Sequence, residues 1–306
     1  MKINKVLSFL FISVTTAMVM AGCGKDDPII PGASQPQLTI SAPSSSSASA
    51  VANGTVAFNV LAESNIVSNS DLSSFTVSRK NVDGSTTALE TVTIPNASQK
   101  TYGYTKSLEV GGALGDVIFT FSVTDKKGET ATLAYTVTVG GAINNYQATL
   151  LGDDLSPIPS FYDAINNVRL TQAAAKAAQT SVDILFYYGA SNGATLAAPS
   201  NSEAGLVYNN ASTGLQSYTV RNATAFKEVT LTADAFNAIS VDTEITKLVQ
   251  GAVASDAKQL AVGKAYAFKT ASSTGRASKN GIFRVTALTG TSSTESTITF
   301  DVKIQQ

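Results

Sequence analysis

The residues of this chain best able to do chemistry are carboxylates. Asp153, Asp154, Asp163 and Asp183 all lie in its C-terminal half. Two of them in one cleft, about 5–10 Å apart, would suit acid–base hydrolysis of the kind glycosidases perform. Asp183 interrupts an apolar run over residues 182–188, where burial would raise its pKa. The plainer reading is that it caps or salt-bridges at the start of a strand. The adjacent Asp153-Asp154 pair would point to opposite faces of a strand. In a loop the two could offer hard oxygens to Ca²⁺, but no D-x-D-x-D spacing accompanies them, and we expect no metal site.

Composition removes most other chemistries. The 306 residues include no His, no Trp and one Cys. That excludes a Ser-His-Asp or Cys-His triad, a His-ligated or multi-Cys zinc site, and an internal disulfide. Without His, the usual general base near neutral pH is missing. The sequence therefore points away from an enzyme and implies no cofactor. A net charge of −1 gives no drive toward nucleic acid.

Binding chemistry has two candidate sources. Residues 257–294 carry Lys258, Lys264, Lys269, Arg276, Lys279 and Arg284 with no Asp or Glu. Arg276 and Lys279 sit in a polar loop over 271–281 that could take an acidic glycan or a phosphate. Residues 141–306 hold as many acids as bases, so the alternative is a face neutralised by acids elsewhere in the fold. Gly263-Lys264 is no phosphate loop, because Ala265 stands where Ser or Thr is required. The second source is aromatic. Sugars stack on flat apolar rings with polar rims, and after residue 140 the chain offers Tyr146, Tyr162, Tyr187, Tyr188, Tyr208, Tyr218 and Tyr266. In an alternating strand, one of Tyr187 and Tyr188 would face out. Most of these rings are expected in the core.

The elements that would position these groups are mostly strands. In residues 117–124, Val117, Phe119, Phe121 and Val123 share one face and Thr120, Ser122 and Thr124 the other, the period-2 signature of a half-buried strand. Asp125-Lys126-Lys127-Gly128 then forms a turn, and residues 131–139 alternate as the partner strand. Further strands are predicted at 38–41, 55–62, 75–80, 89–94 and 102–110, with the serines at 44–47 as a loop. Such spacing suits an Ig-like sandwich over 37–140. Beyond it, an Ala-rich helix capped by Thr171 is predicted at 171–179. A buried strand follows at 182–188, then helices at 232–239 and 242–254. Strands at 265–270, 282–288 and 297–304 close the chain. The fold class is thus mainly β: a sandwich followed by a β-rich α+β domain over 141–306, a second sandwich with short helices.

The N-terminus has its own logic. Lys2 and Lys5 precede an uncharged stretch over 6–20, too short for a bilayer span of ~20 residues. It reads as a secretory signal over 1–22. Met20-Ala21-Gly22-Cys23 resembles a bacterial lipobox, with Met where Leu is usual. The resemblance implies a diacylglycerol on the Cys23 thiol and a further acyl chain on its amine; two or more chains anchor stably. Lys25-Asp26-Asp27 resembles the export signal of Bacteroidota surface lipoproteins and implies display on the outer leaflet of the outer membrane, facing the exterior. Pro28, Pro31, Gly32 and Pro36 suit an extended tether over 23–36.

Two further resemblances follow. Residues 115–140 (GDVIFTFSVTDKKGETATLAYTVTVG) look like the last strands of PKD-like or Ig-like modules of bacterial surface proteins. Residues 182–199 and 263–270 resemble uncharacterised C-terminal domains of Bacteroidota lipoproteins, which bring no activity with them. The reading is a non-catalytic, lipid-anchored cell-envelope protein. Its C-terminal domain has a binding or adhesion role toward a glycan or an envelope protein, with no nucleic acid partner. The alternatives are a glycan-binding accessory lipoprotein of a polysaccharide-uptake system and a carboxylate-based hydrolase.

Overall fold

The computed structural model describes residues 34–96, 99–273, 275–291 and 296–306. The signal segment, Cys23 and Lys25-Asp26-Asp27 lie outside the described residues. The first eight strands are β1 (Gln37–Ala42), β2 (Ser47–Val51), β3 (Thr55–Glu63), β4 (Leu72–Lys80), β5 (Thr86–Thr93), β6 (Thr101–Glu109), β7 (Gly115–Asp125) and β8 (Thr130–Gly140). They form a three-stranded sheet, β1-β3-β6, facing a five-stranded sheet, β2-β8-β7-β4-β5. The alternation predicted for β7 holds along its length: Val117, Phe119, Phe121 and Val123 are buried while the residues between them are not. Phe58 of β3 closes the core, its ring centroid 5.1 Å from Phe119 and from Phe121 and 5.3 Å from Tyr135.

Strand β7 also measures the sandwich. Gly115 pairs with Val139 at one end. At the other end Asp125 reaches the loop after β3, where Lys126 N–H donates to the Asp71 carbonyl. The chain enters β1 at that second end, since Gln37 pairs with Glu63. An 11-residue strand separates the two ends by about 35 Å at ~3.3 Å per residue.

The remaining strands are β9 (Ile143–Gly152), β10 (Phe161–Asp163), β11 (Val168–Leu170), β12 (Ile184–Gly189), β13 (Gly193–Ala197), β14 (Ala225–Val229), β15 (Asp256–Ala257), β16 (Ala265–Lys269), β17 (Asn280–Thr289) and β18 (Thr297–Gln305). The helices are α1 (Gln172–Ala177), α2 (Ser202–Val207), α3 (Ala233–Ala238) and α4 (Asp242–Val249). Two five-stranded sheets result, β14-β16-β17-β18-β9 and β11-β10-β12-β13-β15. Ile184, Phe186 and Leu196 of the second meet Phe268, Phe283 and Phe300 of the first between them.

Both outer faces are covered as well. Leu185 and Tyr187 pack with Ala175 of α1 and Ala204 of α2, and Ala267 and Ile282 pack with Phe236 of α3 and Ile245 of α4. The order is helix, sheet, sheet, helix. A strand covered on both faces reads as a continuous apolar run, which accounts for the ILFY of β12.

Local signals explain the helix ends. The Thr171 side chain caps α1 by accepting from Ala174 N–H, and Thr232 caps α3 by accepting from Ala235 N–H. The helix expected to reach residue 254 stops at Val249. Gly251 follows at φ 80°, and Val253, expected on its buried face, is 86% exposed. Helix α4 also joins the two halves. Asp242 Oδ1 accepts from Gly141 N–H at 2.6 Å, Glu244 Oε1 accepts from the Ser49 hydroxyl at 2.9 Å, and the Thr243 hydroxyl donates to the Val139 carbonyl at 3.3 Å. Among the described residues no helix is long and apolar enough to cross a membrane.

Candidate functional site

The four candidate carboxylates, Asp153, Asp154, Asp163 and Asp183, fall into two clusters. The pairing of β10 with β12 sets Tyr162 opposite Ile184, so Asp163 and Asp183 end adjacent strands. Arg276 reaches both from a tight turn, in which Ser273 and Arg276 exchange backbone hydrogen bonds of 2.9 and 3.0 Å. Its Nη1 and Nη2 donate to Asp183 Oδ1 and Oδ2 at 2.6 Å each. Nη2 also donates to Asp163 Oδ1 at 2.9 Å and to the Ser181 carbonyl at 3.2 Å. The fork matches the carboxylate geometry, which makes such bidentate pairs strong.

Both carboxylates are further satisfied. Asp183 Oδ2 accepts from Ala164 N–H. Asp163 accepts from the Ile165 and Asn166 backbone N–H groups and from the Asn166 amide. Burial pushes the Asp183 carboxyl up from its ordinary value, and the Arg276 guanidinium pulls it back. Arg276 is thereby held to the protein itself. The expectation that it faces a ligand is corrected: two acids, one fully buried, claim its guanidinium. Asp183 follows the plainer reading, a salt bridge at the start of its strand.

The second cluster lies in the turn after β9. Asp153 is fully buried, and neither of its carboxylate oxygens has a hydrogen-bond partner; Asp154 Oδ1 is likewise without one. The backbone of Asp153 is well tied: its N–H donates to the Ser296 carbonyl, and its carbonyl accepts from Ser156 N–H and the Ser160 hydroxyl. Burial, and then the charge of Asp154, push the Asp153 carboxyl up to about 6; the nearby backbone N–H groups of Leu155, Ser296 and Ser156 hold it from going higher. Burial also raises Asp154. Ca²⁺ takes six to eight oxygens. Among the described residues no third acid, His or Cys joins the pair.

The tyrosines are spent on packing. Tyr187 is 1% exposed and lies beneath α2, while Tyr188 is half-buried and packs on the opposite side with the core between the sheets. Tyr187 therefore presents no ring to a sugar. Sequence alternation placed the two rings on opposite faces correctly, but it carried no signal that helices cover the outer face. Tyr162, Tyr208, Tyr218 and Tyr266 are buried too. The Tyr208 hydroxyl donates to the Phe186 carbonyl.

Half of the basic run is neutralised by acids. Lys258 pairs with Glu203 at 2.8 Å and Asp256 at 3.5 Å, and Lys264 pairs with Glu228 at 3.2 Å. Lys279 Nζ donates to the Gln306 carbonyl at 2.6 Å, which keeps it at the surface without a carboxylate side chain among the described residues. Arg276 and Lys279 share a loop but face different partners. One cation escaped the sequence reading: Lys303, on the polar side of the β18 alternation, is buried under α3. Its Nζ donates to the Asn237 and Ile239 carbonyls at 2.7 and 2.6 Å, a placement that suits the negative end of a helix.

No family model matches the chain, and no curated protein matches it. Among solved structures it is similar to a DUF4466 family protein from Parabacteroides merdae ATCC 43184, at 14% identity and a TM-score of 0.40, over 89% of this chain and 99% of that one.

Proposed function

We propose that this chain is a non-catalytic, lipid-anchored protein of the outer membrane. The N-terminal sandwich acts as a stalk that holds the C-terminal domain outward for recognition of an envelope partner. The supporting observation is geometric. The chain enters the sandwich at the end where Gln37 pairs with Glu63, and the C-terminal sheets hang from the opposite end at Gly141 and α4. A lipid on Cys23 would thus sit on the far side of the stalk from the C-terminal domain. The side-chain bridges from Asp242, Thr243 and Glu244 make the joint stiff, as a spacer requires.

A recognition role also suits the acids. Asp163 and Asp183 are occupied by Arg276, and Asp153 is sealed from solvent. Hydrolysis needs a carboxylate free to exchange a proton with a bound substrate. The buried tyrosines weaken the glycan-stacking alternative and favour a protein partner.

Acyl labelling and surface proteolysis of intact cells, with an epitope placed after Gln306, test the reading. Labelled palmitate should enter the wild-type chain and not Cys23→Ser, and added protease should remove the epitope before lysis. An unlabelled wild-type chain, or an epitope protected until lysis, would overturn the anchored, outward orientation.

A further inference from the structure

The anchor end of the stalk carries a feature that the recognition role does not use. Between β3 and β4 the chain makes a tight loop whose tip is Ile66-Val67, and these side chains are 92% and 76% exposed. The loop itself holds the pair out. Asn65 is buried; its Oδ1 accepts from Val67 and Ser68 N–H groups at 2.7 and 3.2 Å, and its carbonyl accepts from Asn69 N–H at 2.9 Å. Lys127 Nζ fixes the far side on the Ser68 carbonyl at 3.0 Å. Two adjacent branched apolar side chains are thus fixed in water, where each would gain by leaving it.

The position of the loop says what covers them. Asn65 Nδ2 donates to the Gln35 carbonyl at 2.9 Å, so the base of the loop is tied to the point where the chain enters the fold. Gln35 lies only 12 positions after Cys23. A chain of that length spans at most about 43 Å, and about 37 Å as the extended, Pro-containing tether read from the sequence. An acylated Cys23 therefore holds this end of the stalk within a tether's reach, about 40 Å, of the lipid surface. Lys100 and Lys126 at this end both pair with Asp71, and Glu63 and Glu129 lie at the same end as Lys127. The attraction is therefore apolar rather than electrostatic.

We propose that the Ile66-Val67 tip is a lipid-contact element, inserted at the interface of the bilayer that holds Cys23. It would give the stalk a second foothold beside the anchor and so fix its tilt. The inference rests on the lipid-anchored reading above.

The absence of Trp from the chain makes the test clean. Ile66→Trp is made in the full chain, and the acylated protein is reconstituted into neutral phosphatidylcholine vesicles with plain or brominated acyl chains. Val253→Trp, exposed in the C-terminal half, serves as control. The expected result is blue-shifted indole emission from Ile66→Trp that brominated lipid quenches, with Val253→Trp emission unshifted and unquenched. A mass measurement on the same sample reports the acyl chains on Cys23. Acylated protein with unshifted, unquenched emission overturns the lipid contact and leaves the anchor standing. Blue-shifted emission that brominated lipid does not quench also overturns it, because residues 24–33 of the chain itself would then cover the tip. A Cys23 without acyl chains removes the anchored reading and this inference with it.

Discussion

Replacing Asp153 by Asn removes a carboxylate that is fully buried and whose oxygens accept no hydrogen bond, while nearly preserving its shape. Folding moves this carboxyl from its ordinary 3.8 up to about 6. At about 1.4 kcal/mol per tenfold, that is a destabilisation of up to ~3 kcal/mol when the group is ionised. The turn lies close to exposed Leu155, and water screening should trim the effect to ~1–2 kcal/mol. The sign follows from proton linkage. The folded state holds the proton more tightly than the unfolded state, so wild-type stability falls as pH rises from about 4 to about 6. The penalty is fully present above that window. Asp153→Asn cannot titrate and escapes it. The variant should match wild type near pH 4 and exceed it at pH 8, by a few degrees at ~2–4 °C per kcal/mol. Thermal unfolding of both proteins at pH 4, 6 and 8, followed by circular dichroism, reads the difference. A variant less stable than wild type at pH 8, or an advantage independent of pH, would refute the reasoning. So would Ca²⁺ raising the melting temperature of wild type but not of the variant, because the carboxylate would then be a ligand rather than an orphan.

Other substitutions probe the remaining contacts. Arg276→Met strands Asp183 without its counter-ion and should cost ~3–5 kcal/mol in denaturant unfolding, a loss that shrinks in acid as Asp183 takes a proton. Lys279→Ala should stay within ~0.5 kcal/mol; equal effects from the two would mean that Arg276 is not the staple described. Asp242→Ala leaves Gly141 N–H without its acceptor and should cost ~1 kcal/mol, seen as faster proteolysis at residues 140–143. Lys303→Met frees the Asn237 and Ile239 carbonyls and should cost ~1–3 kcal/mol, with hydrogen exchange rising first in α3.

The parts of the fold legible in sequence are those where one face is wet. β7, β8 and β18 alternate because one side of each packs and the other is less covered, and their spans come out within a residue or two. β12 was legible as buried from its unbroken apolar run. Strands of small or mixed residues left no such trace. β2 is Ser-Ala-Ser-Ala-Val, and its parallel pairing with β8 arises from position beside an existing strand rather than from its own pattern. β13, β14 and β15 are held the same way, by register against neighbours.

The candidate site was legible only as residue types. Asp183 stood out because a charge interrupted an apolar strand, and that signal was sound: the position is buried and must be paired. Its partner could not be found the same way. Arg276 lies 93 residues away in a polar loop, where an arginine awaiting a ligand and one already bound to the protein have the same sequence. Neither period nor spacing separates them, because the choice depends on which sheet edge the loop crosses. Basic runs in β-rich chains should therefore be matched against buried acids before they are read as binding surfaces. In this chain the matching leaves Lys269, Lys279 and Arg284, and Arg284 stands opposite Asp301 across β17 and β18. Arg284 sits opposite Ala265 and Lys269 opposite Asn280 along β16 and β17, near opposite ends of the pairing, while Lys279 lies beside Lys269, bonded through Thr270, so Arg284 stands apart from the other two.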